Sequence, residues 1–149
     1  MASIAYNQFK ADLASGVYNL TSATVKVLLV GTGYTPDPDH QFVSDITGGP
    51  NYELSGTNYV AGFSGAGRKT LASTTVTKDN TNDLAYYDAA DLTWTAINAG
   101  TARYAALYSP NTTDANSKLL MIIQFPADFV SNGGDGVLQW NSGGIAQLT

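Results

Sequence analysis

The stretch Gly62-Phe-Ser-Gly-Ala-Gly-Arg-Lys-Thr70 decides between two folds. It comes within one residue of the phosphate-binding pattern G-x-x-x-x-G-K-[ST], a signature of parallel α/β proteins. That pattern works only where a buried strand leads into the glycines and a helix N-terminus follows them. Here the lead-in, Glu53-Leu-Ser-Gly-Thr-Asn-Tyr-Val-Ala61, is rich in turn residues. The sequel, Thr70-Leu-Ala-Ser-Thr-Thr-Val-Thr77, is β-branched, and β-branched runs resist helix formation. Arg68 also displaces Lys69 by one position, which turns the lysine to the other side. The stretch therefore reads as a glycine turn entering a strand, with no nucleotide site.

Working outward, the neighbouring segments carry strand patterns. Lys69–Lys78 alternates and is threonine-rich. Upstream, Val25-Lys-Val-Leu-Leu-Val30 is short and β-branched and is closed by Gly31 and Gly33. Downstream, Leu84–Ile97 reads as two short strands broken near Asp88–Asp91. Ala102, Tyr104, Ala106 and Tyr108 alternate on one face. Lys118–Phe125 is a near-continuous apolar run, as expected of a strand buried on both sides. Val137–Trp140 closes the set, with Ile145–Leu148 as its continuation past Gly143-Gly144. Asn, Asp, Gly and Ser fill the connections at Asp79–Asp83, Asn98–Gly100, Ser109–Ser117 and Ser131–Gly136, which is turn chemistry. The segment from Tyr34 to Pro50 reads as a long irregular loop, a kind that is often functional. At the N-terminus, Tyr6, Phe9 and Leu13 share one face of a helix over Ser3–Leu13, capped by Ser3 and ended by Gly16. The expected fold is mainly β: one domain over residues 1–149, with a helical arm at 1–16. Residues 24–149 form an antiparallel β-sandwich or a jelly-roll-like barrel.

Composition agrees. The chain of 149 residues has no cysteine, so disulfide and thiolate-metal sites are excluded. Charged residues make up only 13%, about half the usual share. Small polar residues replace them, which suits a hydroxyl-covered β surface. The net charge of −5 and the scattered Lys and Arg exclude a general nucleic-acid footprint. No apolar run approaches the ~20 residues that cross a membrane as a helix. The start, MASIAYNQFK, lacks the apolar segment of a signal peptide. The expectation is synthesis in the cytoplasm, with any exit by a route such as lysis.

Catalytic chemistry has little to draw on. His40 is the sole histidine and Glu53 the sole glutamate. Asp37, Asp39 and His40 lie close together, but the calcium-loop spacing is missed and Asp beside Pro commonly closes a turn. Ser64 lacks the strand–turn–helix context of a nucleophile elbow. Asp88 and Asp91 flank a strand break, where carboxylates satisfy backbone N–H groups. The reading is a non-enzyme without cofactor or metal. Trp94 and Trp140 share parity with apolar neighbours and read as core anchors. Tyr34, Tyr52 and Tyr59 fall in loops and are candidates for partner contact. Asn19-Leu-Thr21 and Asn111-Thr-Thr113 match the glycosylation triplet, which is discounted without a signal peptide.

Several segments recur in order: Asn7–Leu13, Thr24–Leu29, Tyr34–Asp37 with His40 and Phe42, and Leu54–Gly62. Asp88–Trp94, Thr101–Ala105 and Leu138–Ile145 follow. Together they resemble a family of small virion proteins encoded in the structural gene block of tailed bacteriophages, over nearly the whole chain. The resemblance implies a virion component and supplies no catalytic residues. It points to a capsid decoration or cement protein on the major capsid protein, acting as a homo-trimer. The alternatives are a neck or tail component, and a host-surface or carbohydrate-binding module. Expected contact residues are Tyr6, Phe9 and Leu13 on the helix, and Tyr34, His40, Phe42, Tyr52 and Tyr59 in the loops. The region after Gly62 and the Ser109–Ser117 turn depart from the family pattern, as outer loops are expected to do.

Overall fold

The computed structural model describes residues 3–149; Met1 and Ala2, part of the expected arm, lie outside the described residues. In chain order the elements are β1 (Ser3–Ala5), α1 (Asn7–Ala14), β2 (Lys26–Gly31), α2 (Ser44–Thr47), β3 (Lys69–Thr70) and β4 (Thr75–Asp79). Then come β5 (Leu84–Asp88), β6 (Leu92–Trp94), β7 (Thr101–Ser109), β8 (Lys118–Val130), β9 (Gly136–Leu138) and β10 (Ala146–Leu148). The protein is mainly β, with every strand pair antiparallel.

The apolar runs build the main sheet, ordered β1-β8-β7-β2-β3. Leu119–Ile123 of β8 is buried at every position, as is Tyr104–Tyr108 of β7. Both faces of these central strands are therefore covered, which is why they read as continuous apolar runs. The alternation in Ala102–Tyr108 does not mark one buried face: Ala105 and Leu107 are sealed as well. Two smaller sheets, β10-β5-β4 and β6-β9, lie outside this layer. All three sheets have free edges, so the arrangement is an open, sandwich-like stack and not the jelly-roll-like barrel that was the other expectation.

Local differences from the sequence reading have local causes. Ser3 belongs to β1, which pairs with Ile123 of β8, so it does not cap the helix; α1 starts after Tyr6. At the other end Gly16 takes φ +77°, the Gly16 N–H bonds the Leu13 carbonyl and the Val17 N–H bonds the Asp12 carbonyl. That pair of bonds is the left-handed Schellman stop that glycine favours. The expected Lys69–Lys78 strand is split into β3 and β4, with Ser73 at φ +54° in the break. β8 does not stop at Phe125. It jumps register, so that Ala102 pairs with Phe129 while Tyr104 pairs with Gln124. Pro126 sits in the resulting bulge, where its missing N–H breaks no ladder bond. Arg103 spans the bulge with two 2.8 Å bonds to Asp128. β10 pairs with Tyr87 of β5 and so is no continuation of β9. Within the expected loop 34–50, residues Ser44–Thr47 form the short helix α2.

Urea unfolding should separate these contributions. Leu120→Ala, in the sealed centre of β8, is expected to cost about 2–5 kcal/mol. Gly16→Ala, strained only by its positive φ, is expected to cost about 1–2 kcal/mol.

Candidate functional site: a buried arginine cluster and an apolar cleft

The glycine-rich stretch delivers Arg68 into the interior. The Gly65 N–H closes a turn on the Gly62 carbonyl, and the Gly67 N–H bonds the Val60 carbonyl. Lys69 and Thr70 then pair with Val27 and Lys26 of β2. Gly67 is glycine for space: an added Cβ would lie 2.6 Å from the Tyr59 ring. Its carbonyl accepts the Trp94 indole N–H at 2.6 Å.

The Arg68 side chain is 1% exposed, and every one of its N–H groups finds an acceptor. Nε and one terminal nitrogen reach the two oxygens of Glu53 at 2.8 and 2.6 Å. The Asp114 oxygens accept from both terminal nitrogens at 2.6 and 2.9 Å. The Tyr108 hydroxyl accepts a longer bond at 3.4 Å, and the Tyr108 ring lies 5.3 Å from the guanidinium carbon. Glu53 is fully saturated too. Beyond Arg68 it accepts from the Tyr59 hydroxyl at 3.2 Å and from the Gly62 N–H at 3.0 Å. The anion on this glycine loop is thus the chain's own carboxylate.

Three separate segments converge here. Glu53 bridges to Val30 at the edge of β2, where the Leu54 N–H also bonds the Leu29 carbonyl. The Tyr59 hydroxyl accepts from the Leu29 N–H at 2.8 Å. Asp114 arrives on the 109–117 turn, which Thr47 of α2 holds by a 3.0 Å bond. Ser117, fully buried, ties that turn by accepting from Asn111 N–H and donating to the Thr113 carbonyl. The turns expected to be drifting outer loops therefore place Arg68 and Asp114 in the cluster. Burial works against the Arg68 charge, but the bonds to Glu53 and Asp114 outweigh it and hold its pKa up. Burial likewise opposes ionisation of Asp114, and the Arg68 bonds overcome it and hold its pKa below the usual range. Burial, then the Glu53 charge, pushes the Tyr59 phenol well up.

The expected contact residues fall into different places. Tyr6, Tyr34 and Tyr59 are 0%, 3% and 0% exposed, so they are core residues, and Phe9, 4% exposed, is mostly buried and lines the cleft described below. Tyr34 gathers part of the set: its hydroxyl lies 3.3 Å from that of Tyr6 and 2.8 Å from Nδ1 of His40, and its ring packs on Tyr52. Tyr59 stands apart, in the arginine cluster. Phe42, half-buried, bridges to Lys118. Leu13 is half-buried on α1. Asp37 accepts from the Asp39 N–H, which is turn closure, and Asp39 accepts from the Asn7 side-chain amide at the start of α1. Among the described residues no cluster of His, Asp and Glu could hold a metal. Asp88 accepts from the Ala89 N–H at the strand break, as expected, whereas Asp91 accepts from the Trp140 N–H of the distant segment after β9.

A second feature was not legible in the sequence. Between α1 and the small β10-β5-β4 sheet lies a cleft of about 410 Å³, lined by Phe9, Leu13, Tyr18, Val76, Tyr87 and Leu148 among others. The Tyr87 hydroxyl is buried with no hydrogen-bond partner, and burial pushes its pKa up to about 12. The pairing of β5 with both β4 and β10 brings Val76, Tyr87 and Leu148 together, and α1 supplies Phe9 and Leu13. No protein-family model, curated protein or solved structure matches the chain.

Two stability measurements test the cluster. Arg68→Met leaves Glu53 buried without its cation and should cost about 3–5 kcal/mol, part of which Glu53→Gln in the same chain should restore. A carboxylate with a depressed native pKa adds stability above its unfolded pKa of about 3.9, and that stability is lost as pH falls through the native value. Thermal melts should therefore fall steeply below about pH 4, and Asp114→Asn should flatten that fall while lowering the melting temperature at pH 7.

Proposed function

We propose that this chain is a non-enzymatic structural protein of a tailed-bacteriophage virion. In this reading it is a capsid decoration or cement protein, bound as a homo-trimer to the major capsid protein and stabilising the shell by buried contact. The observation that carries the reading is where the resembling segments fall. They supply Phe9, Val27, Leu92, Trp94, Leu138 and Trp140, all buried. The resembling segments therefore supply much of the buried core, while Arg68 and Asp114 lie in the stretches that depart from the family pattern.

The internal chemistry supports a contact role. Glu53 is sealed against Arg68, and His40 is tied to Tyr34. What the surface offers is hydroxyls and a few exposed aliphatic side chains, suited to binding by area. The glycan-binding alternative loses its platform, because Tyr34 and Tyr59 lie in the core.

The test is the copy number of the chain relative to the major capsid protein in purified particles, by quantitative mass spectrometry. A ratio near one, or about a third, is expected for a protein repeated over a symmetric shell. A ratio of roughly a few per cent would instead assign it to a neck or tail ring, and absence from particles would overturn the virion reading.

A further inference from the structure

The turn between β7 and β8 is fastened to the protein at one residue. Among the described residues, every hydrogen bond that runs from residues 110–116 to a group outside the Ser109–Ser117 turn goes through Asp114. The terminal nitrogens of Arg68 reach its oxygens at 2.6 and 2.9 Å, and the Thr47 hydroxyl donates to one of them at 3.0 Å. The Ser44 N–H bonds its carbonyl at 3.2 Å. The remaining bonds are internal. Ser117 closes the base of the turn on Asn111 and Thr113, and Asn116 bonds Thr112 and Thr113. The run Pro110-Asn-Thr-Thr-Asp-Ala-Asn116 carries no large apolar side chain, and 111–113, 115 and 116 are exposed. A segment held by few polar bonds and no buried apolar contact belongs to the low-stability end of a fold, where opening is local.

Asp114 is also the carboxylate of the cluster that water reaches. Its side chain is 20% exposed, against 0% for Glu53. Two carboxylates share one guanidinium, so a proton on Asp114 leaves Arg68 matched one to one by Glu53. The charged and titratable groups around Asp114 are Arg68 on the glycine loop, Glu53 beside β2 and the Tyr108 phenol on β7. α2 presents the neutral Thr47 hydroxyl, its Asp45 being turned to the N–H groups of Gln41 and Phe42. Lys118 of β8 is held by Asp12. Bonds to a carboxylate owe much of their strength to its charge, so protonation weakens the one fastening this turn has.

We propose that the Ser109–Ser117 turn is a lid, fastened over Arg68 by Asp114, that opens when Asp114 is protonated while the sandwich stays folded. Opening uncovers the outer nitrogens of Arg68 and leaves its bonds to Glu53 in place. The Arg68 and Thr47 bonds hold the Asp114 carboxyl below its usual range in the closed form. In the open, solvated form it returns to about 3.9. Closure is therefore fully favoured above that value and is lost as pH falls through the closed-state value, a window below about pH 4. The lid is a property of the free chain and does not depend on the virion reading.

The experiment is amide hydrogen exchange of the full chain, read residue by residue by NMR from about pH 7 to about pH 3 and expressed as protection factors. The Ser44 N–H, bonded to Asp114, reports the lid; the Gly62 N–H, bonded to Glu53, reports the rest of the cluster. On acidification Ser44 should lose protection first, with Gly62 and the strands β7 and β8 still protected. At pH 7, Asp114→Asn should speed exchange at Ser44 roughly ten- to a hundredfold, the loss of charge-assisted bonds, and leave Gly62 unchanged. Thr47→Val keeps the carboxylate but removes a bond that favours its charged form, so it should move the midpoint of lid opening to higher pH. Asp128→Asn, which removes the exposed partner of Arg103, should not move it. Ser44 and Gly62 losing protection together at every pH, or a midpoint that Thr47→Val leaves in place, would overturn the lid. Unchanged Ser44 exchange in Asp114→Asn would overturn it too. If Asp114→Asn does not fold, the pH series and Thr47→Val decide.

Discussion

Arg68 and its two carboxylates hold together parts of the chain that share no secondary structure. Glu53 stands beside the edge of β2, Arg68 ends the glycine loop, and Asp114 sits on the turn before β8. Burying a guanidinium is costly, and a buried ion cluster adds little net stability over apolar residues of the same volume. Its effect is geometric. The planar fork has five donors at fixed angles, and all of them are used by this arrangement of acceptors. Any displacement of the loop would strand either the cation or Glu53 in the interior. The segment between β2 and β3, long and poor in regular structure, is thereby held in one conformation.

The same constraint explains the edge of the main sheet. β2 has β3 beside it only at Lys26 and Val27. Further along, the Tyr59 hydroxyl takes the Leu29 N–H, and the Tyr52–Leu54 segment takes over at Leu29–Gly31. A loop thus does the work of an edge strand, which covers the backbone groups that would otherwise invite pairing. That substitution depends on Glu53 and Tyr59 being held in place, and Arg68 and Gly62 hold Glu53. Gly67 is part of the same device, since a side chain there would meet the Tyr59 ring.

Legibility in the sequence followed the physics of each feature. Val25–Val30 and Lys118–Phe125 were plain because continuous burial leaves a continuous apolar run. The break at Asp88–Asp91 was plain because carboxylates at strand ends meet backbone N–H groups. Ser3 was misread because a capping residue and a first strand residue look alike when the partner strand lies more than a hundred residues away. The loop tyrosines were misread for a related reason. Irregular backbone suggested exposure, but Tyr34 and Tyr59 hydroxyls have buried partners contributed by distant segments. The arginine cluster had one usable signal: a lone Glu and an Arg in a chain with so few charges. Its third member, Asp114, had none, because nothing local links that turn to Gly62–Thr70.

The two ends of the sandwich handle unpaired backbone in opposite ways. At β2, a loop pinned by a buried ion cluster covers the edge. At β4 no device of that kind is present among the described residues: the strand is exposed, its neighbour carries an unbonded phenol, and aliphatic side chains stand in solvent around an apolar cleft. What blunts β4 is its length of five residues and the charges of Lys78 and Asp79 at one end. The arginine cluster acts on the β2 side alone. None of its bonds reaches β4 or β5, so it fixes the segment between β2 and β3 and leaves the smaller sheet to its own pairing.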